Sequence, residues 1–234
     1  MPRFFIADKP TPVLNTPDFQ GVFGTHPLPL DKEGLLRPIE MVALQGTKFE
    51  FVRQMSAHIF EVKTQDYLHG PLYIDARFVS ETNENTPNRP KILPSSETIL
   101  SRLKNALGLP YIWGGNWGRG IPEIHQFYGS NLKPQHKIIQ TLSGLDCSGL
   151  LYEATNGFIP RNTSELLIYG KKVPHFDHVK PLDILVWPGH VVIVLTPTTT
   201  IESLYGQGVI LSDLHDRLHQ LSSTKFIIRR FLFE

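Results

Sequence analysis

Two side chains of this sequence could together carry out nucleophilic chemistry. Cys147, the sole cysteine among 234 residues, lies between Asp146 and Ser148 at the head of an apolar run. A thiol at the N-terminus of a helix meets the positive end of the peptide dipoles, which favours the thiolate. His190 follows 43 residues later and opens the apolar run 191–195. A thiol and an imidazole are the minimum for a cysteine hydrolase, and a buried structural cysteine with a strand-end histidine is the alternative.

Asp146 is expected to cap the helix that begins at Cys147. The backbone N–H groups that the cap leaves unpaired could bind the oxyanion of a tetrahedral intermediate. A carboxylate beside the sulfur disfavours the thiolate, however. If Cys147 is a nucleophile, we predict that Asp146 also binds a positively charged group of the substrate. The alternative is a helix cap and nothing more.

A histidine that acts as a base needs an orienting partner, and the predicted strands offer Glu202. Suppose that residues 196–198 form a three-residue loop, so that Leu195 pairs with Thr199. Glu202 then faces the same side of the sheet as His190. We therefore predict that Glu202 orients the imidazole.

That assignment depends on strand register, because side chains alternate between the two faces of a sheet. A shift of one residue would bring Ser203 beside His190 in place of Glu202.

The composition excludes several classes of partner and cofactor. The formal net charge of +1 gives no bulk attraction to nucleic acid or to an anionic membrane surface. No apolar run approaches the roughly 20 residues of a membrane span. His175 and His178 resemble a metal cluster but have no further ligand at suitable spacing, so they are interpreted as a solvated loop and no metal is expected. Nucleotide-binding motifs are absent too, and no organic cofactor is expected.

The cysteine content and the first residues bear on the compartment. A single cysteine excludes an intrachain disulfide and fits a reducing environment. The apolar patch at 4–7 is shorter than the roughly 7–15 apolar residues of a secretory signal. We expect a cytoplasmic protein, with export by a route without a cleavable signal as the alternative.

The chain is predicted to contain two domains of different character. Short apolar or alternating runs separated by turn residues indicate a small β-barrel over residues 1–80. Its predicted strands are 41–44, 48–52, 59–63 and 72–76. Residues 81–94 are polar and proline-rich, which is typical of a linker. The second domain, 95–234, has helices followed by strands, so the fold class is α+β.

Several elements are predicted in the second domain. The helices are 97–107 with Ser96 as its cap, one from Cys147, one after Asn162 or Thr163, and 213–220, and the strands are 183–187, 190–195, 200–205 and 225–233. Residues 117–143 show no periodicity and are predicted as a long irregular loop.

The motifs of this second domain resemble the NlpC family of bacterial cell-wall cysteine peptidases. They are YIWGGN at 111–116, GLDCSGLL at 144–151, PRNTSEL at 160–166, KPLDILVWPGHVVIVL at 180–195 and TIES at 200–203. The resemblance implies a papain-like fold and hydrolysis of peptidoglycan stem peptides or muropeptides, usually between γ-D-glutamate and a diamino acid such as diaminopimelate. Neither a metal nor a cofactor is implied.

The resemblance also assigns residues. Cys147 matches the nucleophile, His190 the general base and Glu202 the third polar residue, which is more often His, Asn or Gln in the family. Tyr111 matches a tyrosine near the thiol. Asp146 and Ser148 match positions that bind the L-alanine amine in members that act on free peptides.

The first domain is similar to the bacterial SH3-like domains that accompany this peptidase. Tyr67 resembles a tyrosine of such domains that closes over the substrate amine, and a tyrosine of a barrel loop is the alternative. Two other functions stay open for the whole chain. One is an inactive module that binds peptidoglycan or a protein, and the other is a thiol acyltransferase.

Overall fold

A computed structural model describes residues 3–129 and 132–232 of the chain. Within these residues the strands are β1 Phe4–Ala7, β2 Thr11–Leu14, β3 Ile39–Ala43, β4 Lys48–Gln54, β5 Ile59–Thr64, β6 Tyr67–Asp75, β7 Val79–Thr82, β8 Asn116–Trp117, β9 Gly144–Leu145, β10 Lys171–Lys172, β11 Ile184–Trp187, β12 His190–Thr196, β13 Thr199–Leu204, β14 Gly208–Asp213 and β15 Ile227–Arg230. The helices are α1 Phe19–Phe23, α2 Ser96–Asn105, α3 Pro122–Tyr128, α4 Pro134–Gln140, α5 Cys147–Ala154, α6 Thr163–Leu166 and α7 Leu214–Gln220, with 3-10 turns at Ala76–Phe78 and Phe176–His178. The structure therefore mixes α-helices and β-sheets. Among the described segments, none of the helices has the length and apolar character that crossing a bilayer requires.

The chain divides into two compact units that are each discontinuous in sequence. The first contains the chain up to Pro90 together with Ile112–Gly144, and the second contains Lys91–Tyr111 and the chain from Leu145 onward. These limits differ from the predicted domains 1–80 and 95–234, because residues 112–144 pack with the first unit.

The first unit is built on an antiparallel sheet with the strand order β3-β2-β6-β5-β4-β1-β7. The four predicted strands lie within β3 to β6, apart from the last residue of the first and of the fourth, because alternating and β-branched residues favour strands that are buried on one face. The predicted linker 81–94 starts inside β7, and its Arg89 is buried with Nε 3.1 Å from a carboxylate oxygen of Asp66. Polar composition therefore concealed a segment that packs on the first unit.

The predicted irregular loop at 117–143 contains two helices, which corrects the prediction. Both α3 and α4 begin with a proline, whose fixed φ suits the first helical position. Ile124 and Tyr128, four residues apart in α3, are buried in the apolar core of the first unit. Phe127 packs against the same core, but three apolar positions within little more than one turn are too short a stretch to reveal helical periodicity.

The second unit contains an antiparallel sheet with the strand order β10-β15-β11-β12-β13-β14. The predicted helix at 97–107 is α2, and its cap is Ser95 rather than Ser96. The apolar side of α5 packs into a core that it shares with β12 and β13. Leu150 of α5, Ile193 of β12 and Ile201 of β13 all belong to this core. This packing holds the first residue of α5 close to the start of β12.

Candidate active site

The N-terminus of α5 has the form that the sequence predicts. Asp146 is the N-cap, with its carboxylate accepting from the backbone N–H of Gly149 at 2.6 Å, and Cys147 is the first helical residue. An aspartate at this position satisfies one of the helix's unpaired donors because its side chain folds back over the first turn.

The Cys147 thiol is buried, with 6% of the residue exposed, and it donates to the carbonyl oxygen of Gly189 at 3.8 Å. Burial raises the pKa of this thiol to about 12, and the Asp146 charge adds to the increase. The Arg161 guanidinium and the backbone N–H groups of Ser148 and Val191 oppose it and are outweighed. This corrects the expectation of a thiolate at the helix terminus. The thiol is neutral near pH 7, so attack requires a base that takes its proton.

His190 begins β12 immediately after a tight turn. It pairs with Trp187 of β11, and their rings lie 5.0 Å apart between centroids. Gly189 in the turn has φ of 89°, a left-handed conformation that favours glycine. Because the Gly189 carbonyl contacts Cys147, the turn places the thiol beside the backbone that leads into His190.

Glu202 is hydrogen-bonded to the His190 imidazole, with 2.7 Å between Oε2 and Nε2, and it is 1% exposed. Burial raises the pKa of Glu202, but the hydrogen bonds and charges of His190 and Arg217 outweigh it and leave the pKa below its usual value. An ionised carboxylate only accepts hydrogen bonds, so Nε2 carries a hydrogen and the lone pair of the neutral ring is on Nδ1.

The predicted register holds over most of the β12–β13 pair and fails at the turn. Ile193 pairs with Ile201, as the prediction requires, but Thr196 pairs with Thr199 and the strands shift by a bulge at Leu195. The predicted three-residue loop and Leu195–Thr199 pair are therefore wrong. The bulge adds the residue that the shorter loop lacks, which keeps Glu202 on the His190 side.

Ser203, the alternative partner in a shifted register, has another contact. Its hydroxyl donates to the carbonyl oxygen of Leu145 at 2.7 Å. Leu145 also forms an isolated parallel bridge with Tyr111. Tyr111 therefore lies beside the backbone that leads into Asp146, and its ring meets that of Tyr205 edge-on, with 5.9 Å between centroids.

Asp146 is engaged by a cation from its own chain, Arg161, which sequence reasoning missed. The Arg161 Nη2 lies 2.5 Å from Oδ2 of Asp146, and its Nη1 donates to Oδ1 at 3.1 Å and to the Ser148 hydroxyl at 2.8 Å. Arg161 is 2% exposed. The positive group beside Asp146 is thus a guanidinium of the protein itself, and the PRNTSEL motif is the sequence signal that could have located it.

Arg217 in α7 is a second residue that sequence reasoning missed. Its Nη2 donates to Oε2 of Glu202 at 2.7 Å, and its Nε lies 2.7 Å from Oε1. The helix was predicted at 213–220, and the spacing of Leu214, Leu218 and Leu221 marks its buried face, but the sequence does not reveal Glu202 as the partner of Arg217.

Tyr67 lies in the first unit at the start of β6. It is buried, its hydroxyl donates to Glu40, and its ring meets that of His69 edge-on with 5.5 Å between centroids. His175 and His178, which were interpreted as a solvated loop, are exposed with their rings 5.9 Å apart. Among the residues that the structure describes, no three metal-ligating side chains gather in one place.

No protein-family model and no curated protein sequence matches this chain. Among solved structures, the chain is similar to an NlpC/P60 family protein from Bacillus cereus, with TM-score 0.42 and 17% identity over 99% of this chain and 64% of that one. It is similar to the peptidoglycan hydrolase RipB from Mycobacterium tuberculosis, with TM-score 0.44 and 22% identity over 59% of this chain and 65% of that one. It is also similar to NlpC2 from Trichomonas vaginalis, with TM-score 0.40 and 14% identity over 100% of this chain and 74% of that one.

The chain spans less than two thirds of the length of the first two of these proteins. The structural neighbours of this chain are NlpC/P60 family proteins and peptidoglycan hydrolases, the group that its motifs resemble.

Proposed function

We propose that this protein is a cysteine peptidase that hydrolyses peptidoglycan stem peptides at the bond from γ-D-glutamate to a diamino acid. The proposal includes a papain-like fold for residues 95–234 and an SH3-like fold for residues 1–80. The motifs around Cys147 and His190 support the substrate class. The observation that carries the proposal is the hydrogen bond of His190 to a buried carboxylate, beside a turn that contacts the Cys147 sulfur.

The proposed reaction begins with a neutral pair. His190 Nδ1 takes the proton of Cys147 as the sulfur attacks the carbonyl carbon of the scissile amide. Glu202 holds the ring in the tautomer that accepts at Nδ1 and stabilises the imidazolium that forms. Backbone N–H groups at the start of α5, with the Tyr111 hydroxyl, would bind the oxyanion.

Collapse of the tetrahedral intermediate breaks the amide bond. The imidazolium gives its proton to the leaving amine, and the acyl group stays on the sulfur as a thioester. Water then attacks the thioester with His190 as base, which releases the γ-D-glutamyl product and returns the thiol.

The substrate contacts remain predictions of the resemblance. Asp146 and Ser148 would bind a free amine at the substrate's N-terminus, and Asp146 would share its carboxylate between that amine and Arg161. Tyr67 would contribute to amine recognition.

A module that binds peptidoglycan without cleaving it is the second candidate, and the buried thiol favours it. A sulfur that is 6% exposed with a pKa near 12 also suits a structural cysteine. The two candidates differ in whether the sulfur forms a covalent intermediate.

Digestion of a synthetic tripeptide, L-Ala-γ-D-Glu-diaminopimelate, tests the proposal by mass spectrometry. We expect release of free diaminopimelate by the wild type and none by Cys147→Ala. Adding an acceptor amine, which would yield an adduct with an acyltransferase, distinguishes transfer from hydrolysis. If tripeptide or intact sacculi bind but no product or adduct forms, the protein is a binding module and the peptidase proposal is wrong.

A further inference from the structure

We infer that Arg217 is a positioning residue for this chemistry: its guanidinium fixes the Glu202 carboxylate and balances its charge, so that Glu202 orients His190 without trapping a proton on it. The inference rests on the proposed function, because it assigns a task within the proposed reaction. Arg217 does not touch the sulfur or the imidazole in any contact described above, and it acts through Glu202.

The contacts between Arg217 and Glu202 define the position of both carboxylate oxygens. Nη2 donates to Oε2, the same oxygen that receives His190 Nε2, and Nε makes a close ion-pair contact with Oε1. The Nη2 hydrogen bond holds Oε2, and the Nε contact, which lacks hydrogen-bond geometry, attracts Oε1 by charge alone. The oxygen that faces the imidazole is therefore held by the arginine.

The arginine is itself held in place. Its remaining nitrogen, Nη1, donates to Oε1 of Gln220, three residues later in α7. The Arg217 side chain is 12% exposed, so water screens its interaction with Glu202 only weakly. A solvated surface arginine would lack both the hydrogen bond to Gln220 and the burial of its side chain.

Helix α7 forms a stable support for this arrangement. Asp213 caps it by accepting from the backbone N–H groups of His215 and Asp216. Leu221, directly after α7, packs in a buried cluster with Val192 and Val194 of β12. The helix that carries Arg217 is therefore anchored to the strand that carries His190.

The charge balance follows from what surrounds the imidazole. In the described part of the second unit, Glu202 of β13 is hydrogen-bonded to the imidazole, Arg217 is hydrogen-bonded to Glu202, and the Cys147 thiol contacts the neighbouring backbone carbonyl of Gly189. Trp187 on β11 and Ile210, which pairs with Glu202 on β14, do not titrate. The Asp146–Arg161 pair follows at the start of α5 and is internally balanced.

Without Arg217, the full negative charge of a buried Glu202 would act on the imidazole alone. An unopposed carboxylate stabilises the imidazolium and raises the pKa of histidine. The imidazole would then keep its proton to a higher pH and would accept the thiol proton less readily. With Arg217 present, the Glu202–Arg217 pair has no net charge, and Glu202 orients the His190 ring as a hydrogen-bond acceptor.

The test is an NMR titration of His190 in the full-length protein, with its signals identified by their loss in His190→Gln. In Arg217→Gln we expect the pKa of His190 to rise by about one unit, a tenfold gain in proton affinity. The acid limb of kcat/KM for the tripeptide should move to higher pH by the same amount. Arg217→Lys, which keeps the charge but not the fork, should move the titration less and lower kcat.

Two further variants keep the test decisive. Arg230→Gln removes a guanidinium from another buried carboxylate, Asp183, in the same unit and should leave the His190 titration unchanged. Glu202→Gln should lower the pKa of His190, and adding Arg217→Gln to it should change the pKa much less than Arg217→Gln does alone, because the arginine acts through the carboxylate. If Arg217→Gln alone does not fold, the smaller shift in Arg217→Lys gives the answer.

An unchanged His190 titration on loss of Arg217 overturns the inference, and so does a shift of the same size in the Glu202→Gln background. A shift no larger than that of Arg230→Gln does so as well. If the titration moves as expected while the wild type leaves every peptide intact, then the peptidase proposal fails and the control of His190 by Arg217 stands.

Discussion

Two buried carboxylate–arginine pairs lie at opposite ends of the candidate site, and only one of them touches a group that would react. At the thiol end, the Asp146 carboxylate accepts hydrogen bonds from the Gly149 N–H, the Ser148 hydroxyl and Arg161. All of these partners belong to the framework around the first turn of α5. The pair therefore builds the helix terminus that presents the sulfur.

At the imidazole end, the Glu202 carboxylate contacts both a supporting residue, Arg217, and the residue that would take the proton, His190. Glu202 Oε2 accepts hydrogen bonds from Arg217 and from His190, and Oε1 lies 2.7 Å from Arg217 Nε. We therefore expect a change in the arginine to reach the imidazole through the carboxylate. At the thiol end the charges also act on the pKa of Cys147, but at the imidazole end the carboxylate is itself hydrogen-bonded to the group that would take the proton.

The comparison predicts that loss of the arginine costs more stability at the thiol end. Arg161→Met would leave Asp146 charged and buried without its cation, and we expect a loss of about 3–5 kcal/mol in the free energy of unfolding. Arg217→Gln should cost less, because Arg217 is more exposed and His190 remains as a partner for Glu202. Urea unfolding of both variants measures the difference.

A double variant separates lost charge pairing from lost packing at the thiol end. Asp146→Asn with Arg161→Met removes both charges and should recover part of the stability that Arg161→Met loses. Equal or larger destabilisation by Arg217→Gln than by Arg161→Met would contradict the division of roles between the two pairs.

The turn before His190 joins the two ends, and two glycines give a matched test of it. Gly189 and Gly206 both have positive φ, 89° and 78°, and a Cβ on either would meet no atom within 4 Å. Alanine at either position should therefore cost about 1–2 kcal/mol of backbone strain. We expect Gly189→Ala also to lower kcat/KM, because the carbonyl of Gly189 contacts the Cys147 thiol. Gly206→Ala should leave kcat/KM near the wild-type value.

Thermal unfolding and tripeptide kinetics on both glycine variants provide the readout. Equal losses of kcat/KM in the two variants would show that backbone strain in either turn lowers activity, and that the contact of the Gly189 turn with Cys147 does not matter for the reaction.

Local features of the site could be predicted from the sequence because neighbouring residues determine them. Asp146 as cap and Cys147 as first helical residue follow from residue type and from the apolar run. The placement of Glu202 on the His190 side followed from strand alternation, even though the details of the loop were wrong. In both cases the residues that interact belong to one helix terminus or to adjacent strands.

Features that depend on distant packing could not be predicted in the same way. Arg217 reaches Glu202 only because α7 docks on the sheet beside β13, and the leucine stripe of the helix specifies its buried face but not the place where that face docks. The dipole argument for Cys147 considered α5 alone. The desolvation that outweighs the dipole comes from the core around it.

Burial of the thiol should have the smallest effect on stability. It gives the thiol end of the site a different pH dependence of the free energy of unfolding from that of the imidazole end. The pKa of Cys147 is about 12 in the folded protein, whereas an unfolded cysteine has a pKa of about 8.5. The folded state therefore holds the proton more tightly, and its stabilising contribution is complete below about pH 8.5 and is lost as pH rises toward the folded pKa. Glu202, whose pKa is lowered, contributes in the opposite direction, because its stabilising contribution is lost as pH falls.

Between pH 8.5 and 9.5 the free energy of unfolding of the wild type should fall by about 1 kcal/mol relative to that of Cys147→Ala, as measured by urea unfolding. Parallel pH dependences of the two proteins would mean that the sulfur has the same pKa in the folded protein as in water, and a gain in wild-type stability over Cys147→Ala as pH rises toward 8.5 would mean the lowered pKa that the helix terminus alone predicts.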